Sequence, residues 1–258
     1  MSTAATPEVP DVPDVPEARA RGRLRWYGLW QLRDYLINKG IATALISGLL
    51  LFLVWSGARA AGMAAYEPVA RAAFPQFIGN IILFGVLFAT NGIVSEDRKF
   101  GYYRFYFSKP VSAPELYGQK FLVHIVGLTL VALLMLGIHA LVLAPIFPPA
   151  LLSVFLMTAI GLGGIGFLLS AIFTLDWITL LAVYAAAQIG WTLYEDDTGI
   201  RGMLVRAFPP VHELDGAYTA VARDLPVPMD AVWWVFLYGV ACFFLGLVVI
   251  SRRKLATS

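Results

Sequence analysis

Apolar runs of membrane-spanning length recur along this chain, and that recurrence limits its fold more than any other feature. They lie at about 41–60, 77–94, 121–143, 150–173, 176–194 and 231–250. A helix of about 20 apolar residues crosses a hydrocarbon core about 30 Å thick. Inside that core every backbone polar group needs a partner within the protein, which leaves helices and closed barrels. Barrel strands alternate apolar and polar residues in short segments, and these runs do not alternate. Composition agrees: only 14% of the residues are charged, against about 25% in soluble domains. The expected fold class is all-α. It is a polytopic membrane protein with six transmembrane helices, an N-terminal interfacial amphipathic helix, and short helices in the outer loop between spans five and six.

The chain divides into a tail, residues 1–20, and a six-span transmembrane domain, residues 21–258. The tail has no apolar core of a signal peptide, and it holds four acidic residues and four prolines. Val9 to Glu17 places proline at every third position, which favours an extended, solvated chain. It is read as a disordered cytoplasmic tail. From Arg21 the composition shifts. Arg21, Arg23, Arg25, Arg33 and Lys39 mix with Trp26, Tyr27, Leu29 and Trp30, which suits an interfacial helix over 22–38. Gly40 is the expected bend between that helix and the first span. The alternative is a plain extension of the span.

Charge sets the expected orientation. With the N-terminus inside, the segments 1–40, 95–120, 174–175 and 251–258 carry 14 Lys and Arg, and the outside segments carry four. Cytoplasmic loops are enriched in basic residues, so both termini are expected to be cytoplasmic in a multi-pass cell-membrane protein. Spans four and five form a tight hairpin around Leu175-Asp176-Trp177.

The inside interval 95–120, SEDRKFGYYRFYFSKPVSAPELYGQK, is the most unusual stretch. Its centre alternates aromatics with Arg104. Lys109-Pro110 ends any preceding helix, because the residue before proline is pushed out of the α region. Ser112-Ala-Pro-Glu115 reads as a capping box that starts a helix running into span three. An interfacial loop anchored by aromatics is the plainer reading.

The spans hold few polar groups. No Lys, Arg, Asp or Glu lies deep within them; the exceptions in polarity are Asn80, Asn91, His124, His139 and Gln188. His124 and His139 stand about 22 Å apart along a helix and cannot share a metal. They are read as helix-packing groups. Gly161-Leu-Gly-Gly-Ile-Gly166 matches a dinucleotide fingerprint only formally, since it lies inside an apolar span without the strand that motif needs. Its small residues instead allow close helix approach. The chain has no phosphate-binding GxxxxGK[ST] loop, no HExxH and no GxSxG. No catalytic or metal site is assigned, and no cofactor. The second unusual interval is 195–230, with seven acidic residues against three Arg. Arg201–Phe208 reads as a short helix ended by Pro209-Pro210. Leu214, Ala217, Tyr218 and Val221 recur at helical spacing. Both segments would dip into the outer leaflet, and the alternative is an extracellular cap.

These residues together resemble the permeases of ABC transporters of the type-2 exporter class. The acidic-basic cluster Glu96–Lys99, then Gly101, the segment Tyr102–Phe107, Ser108-Lys-Pro-Val-Ser112 and Gly118-Gln-Lys120 follow the family's order. The likeness in architecture spans about 22–254. Aromatics stand where many members have Leu and Glu. The resemblance implies a dimer, homo- or heteromeric, whose two permease subunits form the pathway, each docked on a separate cytoplasmic ATP-binding subunit. ATP and Mg would be bound by that partner and not by this chain. The cytoplasmic 95–112 region would carry the coupling helix, Glu96–Phe107. Its ATPase contacts would be Glu96, Asp97, Arg98, Lys99, Gly101, Tyr102, Tyr103, Arg104 and Phe105. Pro209, Pro210, Leu214 and Tyr218 are the outer-gate candidates. The expected setting is a prokaryotic inner membrane, with lipid as a partner and no nucleic acid. An intramembrane enzyme and a structural subunit of a larger membrane complex remain the alternatives.

Overall fold

The computed structural model describes residues 27–62, 66–101, 112–143, 145–146, 148–173, 176–194 and 196–252. Among these residues the chain is helical, without a strand. The long helices are α1 (Tyr27–Ala60), α2 (Tyr66–Thr90), α4 (Ala113–Val142), α5 (Ala150–Ile172), α6 (Asp176–Tyr194) and α9 (Met229–Arg252). The short ones are α3 (Ser95–Phe100), α7 (Ile200–Ala207) and α8 (Leu214–Ala222), with a 3-10 turn at Val211–Glu213. Among the described residues five apolar helices are long enough to cross a membrane, and the apolar part of α6, Ile178–Tyr194, is shorter.

Two boundaries depart from expectation for local reasons, and a third forms as expected. α1 runs unbroken for 34 residues. A π turn over Leu36–Gly40 stands where a bend was expected, and Gly40 itself keeps ordinary right-handed dihedrals (φ −63°, ψ −43°). α2 begins at Tyr66, well before residue 77. Pro68 falls in its first turn, where a missing N–H costs nothing, and Glu67 pairs with Arg71 one turn on at 3.1 Å. α4 begins at Ala113. Ser112 Oγ accepts from the Glu115 N–H, and the Glu115 carboxylate accepts from the Ser112 N–H, so the expected capping box is present.

The neighbours fix helix directions. Along α1 and α4, Tyr35 lies against Gly127, Gly40 against Val131 and Gly48 against Met135, so these two helices run parallel. α5 and α9 also run parallel. A Cβ on Gly161 would stand 2.7 Å from the Val235 carbonyl oxygen, and one on Gly164 would collide with the Gly239 backbone. The glycine run is therefore a close-approach surface, as its position in an apolar span requires.

Two buried clusters result. The larger joins Phe74, Ile78, Ile82, Leu128, Met135, Phe155 and Val235 with Leu214, Ala217 and Val221 of α8. The smaller joins Ile93, Val94, Tyr117, Phe121, Phe167 and Ile250. The smaller cluster marks what is called here the clamped end of the bundle. The segment 196–228 covers the other, capped end. α8 was expected either to dip its apolar face into the outer leaflet or to form part of an extracellular cap. Leu214, Ala217, Tyr218 and Val221 are in fact buried in the protein core, not turned to lipid.

Candidate functional site

The clamped end is built around the turn that follows α2. Gly92 takes a left-handed conformation there (φ +77°), which glycine adopts without strain. The turn leaves the last carbonyls of α2 without helical partners. Two neighbouring helices, α1 and α4, supply donors to carbonyls at the end of α2 and in the turn. His124 Nδ1 of α4 donates to the Ala89 carbonyl oxygen at 2.6 Å. Lys39 of α1 donates to the Asn91 carbonyl oxygen. Lys120 of α4 donates to the Ile93 carbonyl oxygen at 3.0 Å. The Val94 N–H in turn donates to Ser170 Oγ of α5 at 3.2 Å. Cations at a helix C-terminus also complement the partial negative charge of its aligned peptide dipoles.

The same lysine reaches into α3. Lys120 Nζ lies 3.1 Å from Asp97 Oδ2, with the Asp97 side chain 7% exposed and that of Lys120 19% exposed. Burial raises the Asp97 carboxyl above its ordinary range. The Lys120 ammonium, a hydrogen bond from Tyr117 and the charge of Lys39 oppose that rise. α3 is thus tied to α4 by an ion pair and hydrogen bonds, directly beside the turn tied to α1, α4 and α5.

Asp97 was expected on a partner-facing surface and is buried in the joint instead. Glu96, Lys99 and Phe100 are exposed. Arg98 lies on α3. Gly101 adopts φ +73° with open space around it, so the right-handed helix that starts at Ser95 stops there. Tyr102, Tyr103, Arg104 and Phe105 lie outside the described residues.

Two polar side chains of α1 enter the same region. Tyr35 stacks obliquely against His124, with centroids 5.0 Å apart. The Gln31 amide and the Tyr35 hydroxyl are buried with no hydrogen-bond partner among the described residues. His139, further along α4, is buried between Phe74 and Phe77, centroids 5.5 and 5.2 Å away.

At the capped end, Pro209 is buried and Pro210 half-buried. Leu214 and Tyr218 point into the core. The Tyr218 ring lies where a Cβ on Gly79 would touch it at 3.4 Å. Burial pushes the Tyr218 phenol above its ordinary value, and a hydrogen bond with Thr158 counters it. Arg71 of α2 donates to the Ala222 carbonyl oxygen at 2.7 Å, closing the C-terminus of α8. Among the described residues no three His, Cys, Asp or Glu side chains come together as a metal-binding group.

The sequence pointed to 95–120 as special and to Lys120 within it. It did not point to Lys39, His124 and Ser170 as members of one joint. Their partners are backbone groups, which leave no residue-type signature. Comparison of the sequence with protein-family models gives no match, and comparison with curated proteins gives none.

Proposed function

We infer that this chain is the membrane permease subunit of an ATP-driven ABC exporter of the type-2 class, built as a dimer and driven by separate ATP-binding subunits. The observation that carries the reading is the joint at Asp97 and Lys120. A short helix beside the membrane transmits force only if it is tied to the spans, and α3 is tied to α4 by a buried ion pair. Hydrogen bonds then carry displacement to α1 and α5 through the Asn91–Val94 turn. The exposed Glu96, Lys99 and Phe100 offer charge and an aromatic ring to a docking subunit.

In this reading α6 completes six spans, the clamped end and both termini are cytoplasmic, and the chain sits in a prokaryotic inner membrane. The first part of α1 leaves the hydrocarbon. A helix of its length reaches about 51 Å against a core of about 30 Å, and Tyr27 and Trp30 stack at its start, centroids 5.8 Å apart. Aromatics of this kind settle at headgroup level. α7, with Ile200, Met203 and Leu204 exposed, lies in the outer leaflet. ATP and Mg are bound by the partner, and the permease performs no chemistry.

The test is purification of the chain from its own membranes in mild detergent, followed by mass spectrometry of what accompanies it. A subunit with a phosphate-binding loop should co-purify. The double charge reversal Glu96→Lys with Lys99→Glu should release it while the permease stays folded. Lys120→Met should leave it docked but reduce transport-linked ATP turnover. A permease that purifies without any ATP-binding subunit, and whose behaviour ignores the reversal, overturns the reading.

A further inference from the structure

A cavity of about 250 Å³ lies at the capped end, between α2, α6 and the Val211–Ala222 segment. Its polar wall comes from Gln76, Asn80, Tyr184, Gln188, His212 and Asp215. The sequence scatters these residues over 140 positions, from 76 to 215, and only the fold brings them to one volume.

The wall has a definite hydrogen-bonding character. Gln76 Nε2 donates to Asn80 Oδ1 at 3.3 Å, and Gln188 Nε2 donates to the Tyr184 phenol oxygen at 3.3 Å. Each carboxamide carries two donor hydrogens and a carbonyl acceptor. Whichever way the amides are turned, both pairs keep donors and acceptors for a third party. His212 is held flat against Trp191, with ring centroids 4.0 Å apart and planes 16° from parallel. Polar side chains on membrane helices ordinarily pair off across the helix interface. Here they converge on open space from α2, α6, α8 and the 3-10 turn at Val211–Glu213.

Charge decides what the wall takes. Among the described residues lining the cavity there is no Lys or Arg, which disfavours a phosphate or carboxylate. Asp215 is the one carboxylate lining it, and its side chain is exposed. Apart from the exposed Asp215, the wall is neutral, and its mixed donors and acceptors match hydroxyl groups, each of which donates and accepts at once. The volume falls below the range of about 300–1,000 Å³ typical of drug-sized pockets, so it suits a single ring. We propose that this cavity binds a neutral, hydroxyl-rich single-ring group: a sugar or a sugar headgroup. The site does not depend on coupling to an ATPase, since every residue it uses belongs to this chain and lies away from α3.

The experiment uses the full chain in phosphatidylcholine nanodiscs, with empty nanodiscs as background. Three probes share an octyl chain and differ in headgroup: octyl β-glucoside, octyl phosphate and octyltrimethylammonium, each below its micelle concentration. The glucoside should bind saturably and about tenfold or more tighter than either charged probe, as two or more neutral hydrogen bonds would give. Asn80→Leu should weaken it about fivefold or more for the loss of one such bond and its partner's exposure. Gln188→Glu keeps the shape and adds a carboxylate, so it should turn the preference toward the ammonium probe even if Asn80→Leu fails to fold. Tighter binding of octyltrimethylammonium to the unmodified chain overturns the proposal and makes Asp215 a cation subsite. Equal uptake of all three probes, or glucoside binding indifferent to both substitutions, overturns it and leaves a water-filled vestibule.

Discussion

At one end of α2 the Asn91–Val94 turn is held by side chains from three neighbouring helices, and the adjoining α3 by a buried ion pair. At the other end α8 lies against α2 through apolar burial, one bond from Arg71 to the Ala222 carbonyl oxygen, and a polar cavity. Hydrogen bonds and ion pairs weaken steeply with displacement and direction. Apolar contact is non-directional and survives sliding. The clamped end is therefore suited to move as one piece with α3, and the capped end to rearrange around its cavity. One helix, α2, carries both. That contrast can be broken at several places.

The largest effect should come from the frame that both ends share. Gly164 packs so closely on Gly239 that any side chain must push α5 and α9 apart. Backbone cannot yield as a flexible side chain does, so Gly164→Val should cost more than about 3 kcal/mol, the upper part of the usual overpacking range. Both ends should fail together. The buried thiol of Cys242 gives the readout, through its exposure to a thiol-reactive dye on heating. If Gly164→Val melts like the unmodified chain, the close approach of α5 and α9 is wrong.

The next effect isolates the clamped end. Lys120→Met removes the cation and leaves the Asp97 carboxylate buried, a change that costs about 3 kcal/mol in comparable pairs. Asp97→Asn should cost less, because burial already works against the ionised carboxylate. The sign of the pH dependence follows. A carboxyl whose folded value lies above its unfolded value gains a proton more readily in the folded state, so its contribution to stability grows as pH falls through the raised value. The deficit of Lys120→Met should accordingly shrink on acidification, as measured by the dye assay across pH. A deficit that stays constant or deepens in acid would show that Lys120 acts through the Ile93 carbonyl oxygen and not through Asp97.

A smaller effect isolates the capped end. Arg71→Leu loses a charge-assisted bond to a carbonyl oxygen and should cost about 1.5 kcal/mol. Hydrogen exchange should rise in α8 and leave α3 unchanged. If exchange rises equally at both ends, α2 transmits the disturbance along its length and the two regions are not independent.

How far the sequence foretold this contrast depends on the kind of signal each part leaves. The helical, membrane-type fold was legible because apolar runs announce themselves. The capping box at Ser112–Glu115 was legible because both members are side chains at a fixed spacing, and so was the close packing at Gly161–Gly166. The helix starts at Tyr66 and Ala113 lie before the apolar runs because Pro68, Glu67 and Ser112 support helix without contributing hydropathy. The inward turn of Asp97 was not legible. An acidic residue in a charged loop reads as exposed until Lys120, 23 residues later, is placed beside it. The cavity left no pattern either, since its side chains come from three separate segments.

The smallest effect sharpens the account of the clamped end by asking which of its polar groups hold it. Lys39, Lys120 and His124 each reach a carbonyl oxygen. Tyr35 is also buried there, against His124 and Gly127, but its hydroxyl has no partner among the described residues. Its ring fills space, and its oxygen forms no bond that removal would break. Deleting an unpaired buried hydroxyl loses no hydrogen bond and lifts a desolvation cost, so Tyr35→Phe should leave stability within about 0.5 kcal/mol or raise it slightly. Tyr35→Ala should cost about 3 kcal/mol, because the ring's cavity would remain. Dye-monitored melting of the two variants separates ring from hydroxyl. A loss above about 1 kcal/mol for Tyr35→Phe would mean that the hydroxyl is bonded in the folded protein. The joint would then extend along α1 beyond Lys39, and the boundary between a bonded end and a packed end would have to be redrawn at Tyr35.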